Sequence, residues 1–237
     1  MDISIIIPVL NEQFKITRDV QSVADFLIHS NLSGEIIVVD DGSCDNTSKV
    51  AKQSVIPNQI SLKIIRYEQH RGKGYAVRTG ILDSCGEYVM FMDSGSNVPL
   101  SYITTGLELI KKGNCDIAMG SRKLPDSKIH KNLIWYRQIT SFLFRKTVKF
   151  YLDIPDHLTD TQCGFKLYKG DIARNLYSQC ISEGFVFDIE IILYAQKSGY
   201  QMLEFPIEWT CDRDTRLSVN TAPELIMELR RLKQLTF

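Results

Sequence analysis

The sequence predicts an α/β fold, in which a mostly parallel, doubly wound sheet is flanked by helices. Short apolar runs alternate with helical patterns over the first half of the chain. The first run, residues 3–7, is almost entirely isoleucine, as expected for a strand covered on both faces. The composition, 44% hydrophobic and 24% charged, is that of an ordinary globular protein. Because no linker rich in proline, glycine or serine interrupts the chain, we predict a single domain spanning 1–237.

The individual elements follow from this alternation, although the order of the strands in the sheet does not. Strands are predicted at 3–7, 35–39, 62–65, 88–92 and 116–119. Helices are predicted between them at 12–26, 47–53, 73–82 and 100–111, with Asp45 or Asn46 capping the second. After about Ser121 the rhythm changes. The later part is predicted to hold helices at 133–152, 188–197 and 223–235 and a strand at 202–205.

Several classes of protein are disfavoured by composition. Lys and Arg number 28, as do Asp and Glu, and this zero net charge argues against a nucleic-acid partner. No run reaches the roughly 18 apolar residues of a membrane-spanning helix. Met1-Asp2-Ile3-Ser4 lacks the basic stretch of a signal peptide, so no leader is expected. The six scattered cysteines form no C-x-x-C pair, and we expect reduced thiols in a cytoplasmic protein.

Polar residues collect where the predicted strands end. In an open parallel sheet, ligands bind beyond the carboxyl ends of the strands. Acidic and amide side chains there suit a base, a ribose and a metal better than a bare phosphate. Adjacent carboxylates at Asp40 and Asp41 are costly without partners or a cation, which favours a binding site over a simple turn or helix cap. The segments in question are 8–12, 40–47, 71–74 and 93–97.

These segments together resemble inverting glycosyltransferases of family 2, which have the GT-A fold. The motifs are Ile5-Ile6-Ile7-Pro8-Val9-Leu10-Asn11-Glu12, Val38-Val39-Asp40-Asp41-Gly42-Ser43, Asp45-Asn46-Thr47 and Gly72-Lys73-Gly74. Later segments are similar to dolichyl-phosphate glucosyltransferases and to polyprenyl-phosphate mannosyltransferases. Those segments are Gly120-Ser121-Arg122, residues 160–166, Phe187-Asp188-Ile189-Glu190 and residues 205–209.

The resemblance implies transfer of a hexose from a nucleoside diphosphate sugar to a polyprenyl or dolichyl phosphate. UDP-glucose is the preferred donor and GDP-mannose the alternative. Residues 1–121 would bind the donor, and residues 122–237 would bind the acceptor. A transferase acting on a saccharide hydroxyl and a non-catalytic nucleotide-sugar-binding protein remain alternatives. The residues implied in nucleotide binding are Pro8, Leu10, Asn11, Glu12, Asp40, Asp41, Lys73, Asp93 and Ser94.

One position departs from the family pattern. The family carries Asp-x-Asp after the fourth strand, but this chain has Asp93-Ser94-Gly95, so one hard oxygen ligand for Mg²⁺ or Mn²⁺ is lost. Three interpretations follow. Asp93 and Asn97 hold the metal with the diphosphate and water; or basic residues, Lys73 or Arg122, replace it; or binding is kept and catalysis is lost.

The acceptor decides which further residues matter. A lipid phosphate is already ionised at pH 7, so cations that position it would matter more than a base. Arg122 and Lys166 lie in matching motifs, and Arg137 and Arg216 are further candidates. A sugar hydroxyl would need a general base, for which Asp160 is the candidate; the alternative role for Asp160 is that of a loop residue. Asp188 and Glu190 are interpreted either as substrate contacts or as residues that order a helix start.

The segment 121–152 is basic and aromatic. It contains eight basic residues and one acid, and its aromatic side chains recur at helical spacing. Such a helix is typical of a membrane interface, and the alternative is a core helix with solvated lysines. We therefore expect peripheral attachment at the cytoplasmic face of a membrane, directly or through a membrane-protein partner.

Overall fold

The computed structural model describes residues 1–95, 97–130, 148–210 and 228–234. Seven of its strands form one sheet in the order β3-β2-β1-β4-β7-β5-β8, and β6 and β9 pair separately. The strands are β1 (Ile3–Val9), β2 (Gly34–Asp40), β3 (Ser61–Arg66), β4 (Tyr88–Met92), β5 (Ile117–Ser121), β6 (Lys128–Ile129), β7 (Phe165–Lys169), β8 (Met202–Pro206) and β9 (Glu208–Trp209).

Helices cover both faces of the large sheet. They are α1 (Ile16–His29), α2 (Thr47–Lys52), α3 (Lys73–Leu82), α4 (Tyr102–Lys111), α5 (Gly170–Gln179) and α6 (Phe187–Lys197). Residues 148–152 and 228–234 are helical as well. Within the described residues, no helix is both long enough and apolar enough to cross a lipid bilayer.

The sheet brings the ends of three strands to one edge. β1 lies between β2 and β4 and runs parallel to both, so the carboxyl ends of all three point the same way. β7 enters between β4 and β5 and is antiparallel to both. This strand comes from the later part of the chain, and it carries residues 160–165 to the edge where β4 ends.

The core has two layers, one on each face of the sheet. Alternate residues of β1 supply opposite layers: Ile6 packs in one layer, while Ile5 and Ile7 pack in the other. All three are fully buried. Burying each such side chain contributes about 1.5–3 kcal/mol, so the sheet is a rigid base for the loops at its edge.

Most predicted elements occur, and the differences are local. The five predicted strands of the first half are present, with bounds that differ by at most a few residues. The first helix begins at Ile16 and not at residue 12, because Asn11 has a φ of +54° and cannot lead into a helix there. α5 is not among the predicted helices. Residues 131–147 and 211–227, which hold most of the predicted helix 133–152, the first five residues of the predicted helix 223–235, and also Arg137 and Arg216, lie outside the described residues.

Candidate functional site

The loops after β1 and β2 form one hydrogen-bonded unit. The backbone N–H of Asn11 donates to the Ser43 hydroxyl at 2.8 Å, and the N–H of Cys44 donates to Asn11 Oδ1 at 2.9 Å. The N–H of Glu12 donates to the Thr47 hydroxyl at 2.8 Å. Pro8 and Leu10, also predicted to line the nucleotide, are partly buried in the same region. The bonds hold the ends of two neighbouring strands in fixed register.

Asp40 ends β2 and is fully buried. Its Oδ1 accepts the Ser43 N–H at 2.8 Å, its Oδ2 accepts the Ser48 hydroxyl, and Arg66 Nε lies 3.6 Å from the same oxygen. In this structure Asp40 therefore stabilises its own loop. A contact between Asp40 and a nucleotide, as the resemblance implies, requires the atoms that cover it to move.

Asp41 holds the loop that leads into α3. Its Oδ1 accepts the N–H of Arg71 at 2.8 Å, and its Oδ2 accepts the N–H of Gly72 at 2.9 Å. The Nδ1 atom of His70 lies 2.7 Å from Oδ2. Gly72 has a φ of +122°, which favours glycine. Asp41 thus fixes the backbone immediately before Lys73, the first residue of α3.

Lys73 and Asp93 form an ion pair across the edge of the sheet. Lys73 Nζ lies 2.6 Å from Asp93 Oδ1, and the Asp93 side chain is 42% exposed. The Asp93 N–H donates to the Gly164 carbonyl at 3.1 Å, and a Cβ at Gly164 would overlap the Asp93 carboxylate. Burial lowers the pKa of Lys73, but the charges of Asp93 and Asp188 outweigh it, so this pKa lies above its ordinary value.

Arg122 and Asp160, predicted to act separately, are bound to each other. Arg122 Nε lies 2.6 Å from Asp160 Oδ2 and Nη2 lies 2.8 Å from Oδ1, while the Arg122 N–H also donates to Oδ2. Burial raises the pKa of Asp160, but the hydrogen bonds and charge of Arg122 outweigh it, so the pKa is below its ordinary value. A carboxylate held in this way is a poor general base.

Lys166 lies under the site and not in it. The residue is only 1% exposed, and its ammonium donates to the Cys163 carbonyl at 2.9 Å and to Asp188 Oδ1. Burial raises the pKa of Asp188 despite the opposing charge of Lys166. Contact between Lys166 and an acceptor phosphate stays a prediction; in this structure the ammonium is buried and bound by Asp188 and the Cys163 carbonyl.

Glu190 binds the backbone of the segment before α6. Its Oε1 accepts the Ile181 N–H at 2.9 Å and its Oε2 accepts the Ser182 N–H at 2.7 Å. Of the two roles considered for Glu190, ordering of nearby backbone agrees with these bonds. The backbone that it holds includes Glu183, whose carbonyl accepts the N–H of Tyr75 in α3.

Two acids near the site, Asp19 and Glu204, are not among the predicted site residues. Asp19 is fully buried on α1, and its Oδ2 accepts the Gly95 N–H at 2.7 Å. Glu204 of β8 accepts the N–H groups of Thr159 and Asp160, both at 2.7 Å. A signal for Asp19 exists, since it falls on the apolar face of α1 between Ile16 and Val20, where an acid needs a partner.

The residues present do not fit a divalent cation at the end of β4. Such a cation takes about six oxygen ligands. Asp93 is paired with Lys73, Gly95 offers no side chain, and a φ of +101° would strain any other residue at that position. The Asn97 amide nitrogen lies 3.5 Å from the Ser94 carbonyl. Across the described ranges, no three or more acidic, histidine or cysteine side chains are grouped to hold a metal ion.

Solved structures of similar shape come from Mycobacterium tuberculosis glucosyl-3-phosphoglycerate synthase. Its complex with Mn²⁺, UDP-glucose and phosphoglyceric acid gives a TM-score of 0.71 at 16% identity, covering 99% of this chain and 79% of that one. Its complex with Mg²⁺ and UDP gives 0.68 at 18%, covering 98% and 76%. Likeness at this identity concerns the fold, and it confirms the predicted GT-A architecture.

Curated relatives extend the comparison to sequence. The chain is 32% identical over 219 residues to a dolichyl-phosphate beta-glucosyltransferase of Dictyostelium discoideum, covering 88% of this chain and 66% of the relative. It is 33% identical over 225 residues to the enzyme of that name from Saccharomyces cerevisiae, covering 87% and 66%. The chain thus spans about two thirds of the length of these relatives. The model of Glycosyl transferase family 2 matches residues 4–176. The chain therefore belongs to glycosyl transferase family 2.

Proposed function

We propose that this protein transfers glucose from UDP-glucose to a polyprenyl phosphate of the dolichyl type, with inversion at the anomeric carbon. The observation that carries the proposal is the identity of 32–33% to dolichyl-phosphate beta-glucosyltransferases over most of the chain. The donor would lie along the fused loops after β1 and β2, with its diphosphate toward Lys73 and Asp93.

The reaction is a single in-line displacement. An oxygen of the lipid phosphate attacks the anomeric carbon of glucose from the face opposite the diphosphate. The bond from that carbon to the diphosphate oxygen breaks, and its electron pair leaves with UDP. Attack from the opposite face converts the α-linkage of the donor into a β-linkage, which agrees with the word beta in the relatives' name.

The state of the carboxylates supports a phosphate acceptor over a hydroxyl acceptor. A hydroxyl must lose a proton to a base, whereas a phosphate with a second pKa of ~6 is already anionic at pH 7. Asp160 is bound on both oxygens by Arg122, and Asp188 is bound by Lys166. A reaction that needs no base suits these occupied carboxylates. Arg122, whose side chain is 25% exposed, is the cation proposed to position the lipid phosphate. It can do so while paired, because a guanidinium has five N–H donors and two of its nitrogens bind Asp160.

Attachment to the cytoplasmic face of a membrane is part of the proposal. A lipid phosphate must be reached at a bilayer surface, and the segment 121–152 carries eight basic residues against one acid. Within the described part of this segment, Phe150 is 93% exposed and Tyr151 is 38% exposed. Exposed aromatic side chains beside basic residues favour an interfacial position.

The test is transfer of labelled sugar in vesicles. UDP-glucose and GDP-mannose are each supplied with vesicles that contain either dolichyl phosphate or dolichol, and glycolipid is extracted and counted. We expect glycolipid from UDP-glucose and dolichyl phosphate, and none from dolichol. Labelled product with dolichol would indicate a hydroxyl acceptor instead. UDP binding without turnover in every combination would indicate a binding protein.

A further inference from the structure

Three ion pairs meet near the end of β4, and they differ sharply in exposure. In the pair Lys166–Asp188 the side chains are 2% and 4% exposed, and in Arg122–Asp160 they are 25% and 1% exposed. In the pair Lys73–Asp93 the lysine is 19% exposed and the aspartate 42%. Breaking a buried pair is costly, whereas an exposed pair is weakly held because water replaces the partner. Asp93 is the most exposed of the three acids, whereas Arg122 makes two side-chain hydrogen bonds to a buried acid. Lys73 is therefore the cation among these three that exchanges its partner most readily.

The surroundings of Lys73 are built to present a cation at this point. Asp41 holds the two backbone N–H groups just before it, and Lys73 opens the ten-residue helix α3. Asp41 and the Glu183 carbonyl already bind N–H groups at this helix start, so the positive charge offered to an anion here is that of the Lys73 ammonium. The Lys73 ammonium lies 2.6 Å from Asp93 Oδ1. In a metal-dependent relative, the carboxylate at this position would be an oxygen ligand of the metal.

We propose that Lys73 takes the place of the divalent cation in this protein: its ammonium leaves Asp93 and pairs with the diphosphate of the donor. Donor binding and sugar transfer then need no divalent metal. This inference rests on the proposed function, since it concerns the donor of the same site. It also explains how Gly95 is compatible with turnover, because the lost metal ligand is not required.

The charges balance through the reaction. As the bond between the anomeric carbon and the diphosphate oxygen breaks, the leaving UDP gains one negative charge. The Lys73 ammonium, already positive, neutralises that charge by a charge-assisted hydrogen bond and transfers no proton. Asp93, released from Lys73, has a side chain that is 42% exposed and can be solvated by water.

UDP binding measured by calorimetry tests the inference apart from catalysis. We expect wild-type protein to bind UDP with the same affinity in EDTA and in MnCl₂. Lys73→Met removes the charge-assisted bond, and we expect it to weaken UDP binding by about tenfold or more in both buffers. Lys112→Met is the matched control, because Lys112 pairs with Glu108 on the exposed face of α4 and leaves the site intact.

Asp93→Asn separates the two mechanisms even where Lys73→Met fails to fold. If Asp93 were a metal ligand, this variant would lose UDP binding. If Asp93 only competes for the ammonium, the variant binds UDP at least as tightly as wild type in EDTA. UDP binding that requires Mn²⁺, or that is lost in Asp93→Asn, overturns the inference, as does the absence of UDP binding in both buffers.

Vesicle assays distinguish this failure from failure of the proposed function. Glycolipid formed only with added Mn²⁺ would refute the role of Lys73 and leave the function standing. Metal-free UDP binding that depends on Lys73, without glycolipid from any donor, would refute the function and leave the cation replacement standing for nucleotide binding.

Discussion

Replacing Asp160 with asparagine removes a buried charge that makes three contacts with Arg122. The side chain is 1% exposed, and two of its bonds to the guanidinium are 2.6 and 2.8 Å long. Breaking a fully buried ion pair costs about 3–5 kcal/mol. Since Arg122 is 25% exposed and asparagine keeps one acceptor oxygen, we expect a loss of ~2–3 kcal/mol in the free energy of unfolding at pH 7. For a chain of this size the melting temperature falls by roughly 4–12 °C.

The pH dependence of this loss is set by the direction of the Asp160 pKa shift. Because the folded-state pKa is lowered, the stabilisation is complete above the unfolded-state pKa of ~3.9 and is lost as pH falls through the folded-state value. The gap in unfolding free energy between wild type and Asp160→Asn should therefore be full at pH 7 and shrink below about pH 4.

Urea unfolding followed by circular dichroism, from pH 7 down to pH 3, measures this gap. Glu108→Gln is the control, since it removes an exposed ion pair on α4 and should cost at most about 0.5 kcal/mol. A gap below about 0.5 kcal/mol at pH 7, or one that does not change with pH, would refute the reasoning. Asp160→Asn also disturbs Arg122, so its effect on activity does not by itself distinguish a phosphate acceptor from a hydroxyl acceptor.

Three further substitutions test other parts of the site. Lys166→Met leaves Asp188 buried without its partner and should cost about 3–5 kcal/mol in chemical unfolding, while the double variant with Asp188→Leu should recover much of it. Asp41→Asn weakens the hold on the loop before α3, and in transfer assays the KM for UDP-glucose should rise more than kcat falls; an unchanged KM would contradict this positioning role. Gly164→Ala places a methyl group against the Asp93 carboxylate, which must move, so the UDP affinity should change while the melting temperature changes little. An unaltered UDP affinity would show that this contact does not fix the position of Asp93.

The sheet was predictable because its signals are local. Runs such as 3–7 and 35–39 carry β-branched residues at four of their five positions, and such a short, nearly continuous apolar run is typical of strands covered on both faces. The antiparallel insertion of β7 between β4 and β5 was not predictable, because it depends on pairing between distant segments. α5 was missed because it follows β7 directly, without a loop to mark its start.

The candidate site was predictable in position and much less so in its bonding. Asp40, Asp41 and Asp93 were identified because each follows a strand whose end points to the same edge. Their partners could not be read from the sequence. Arg122 and Asp160 are 38 residues apart, so only the folded chain shows that the two charges are bound to each other.

Pairing of opposite charges explains why a site rich in carboxylates can serve an anionic donor. Asp160 and Asp188 are neutralised by cations that stay in place, so neither repels a diphosphate strongly. Asp93 is neutralised by Lys73 in an exposed pair, and water can solvate its charge when the lysine turns to the donor. Without a ligand, the three ion pairs keep this edge of the sheet close to neutral. When the diphosphate binds, the pairs of Asp160 and Asp188 stay in place, and the Lys73 ammonium is the positive charge that becomes available to the donor.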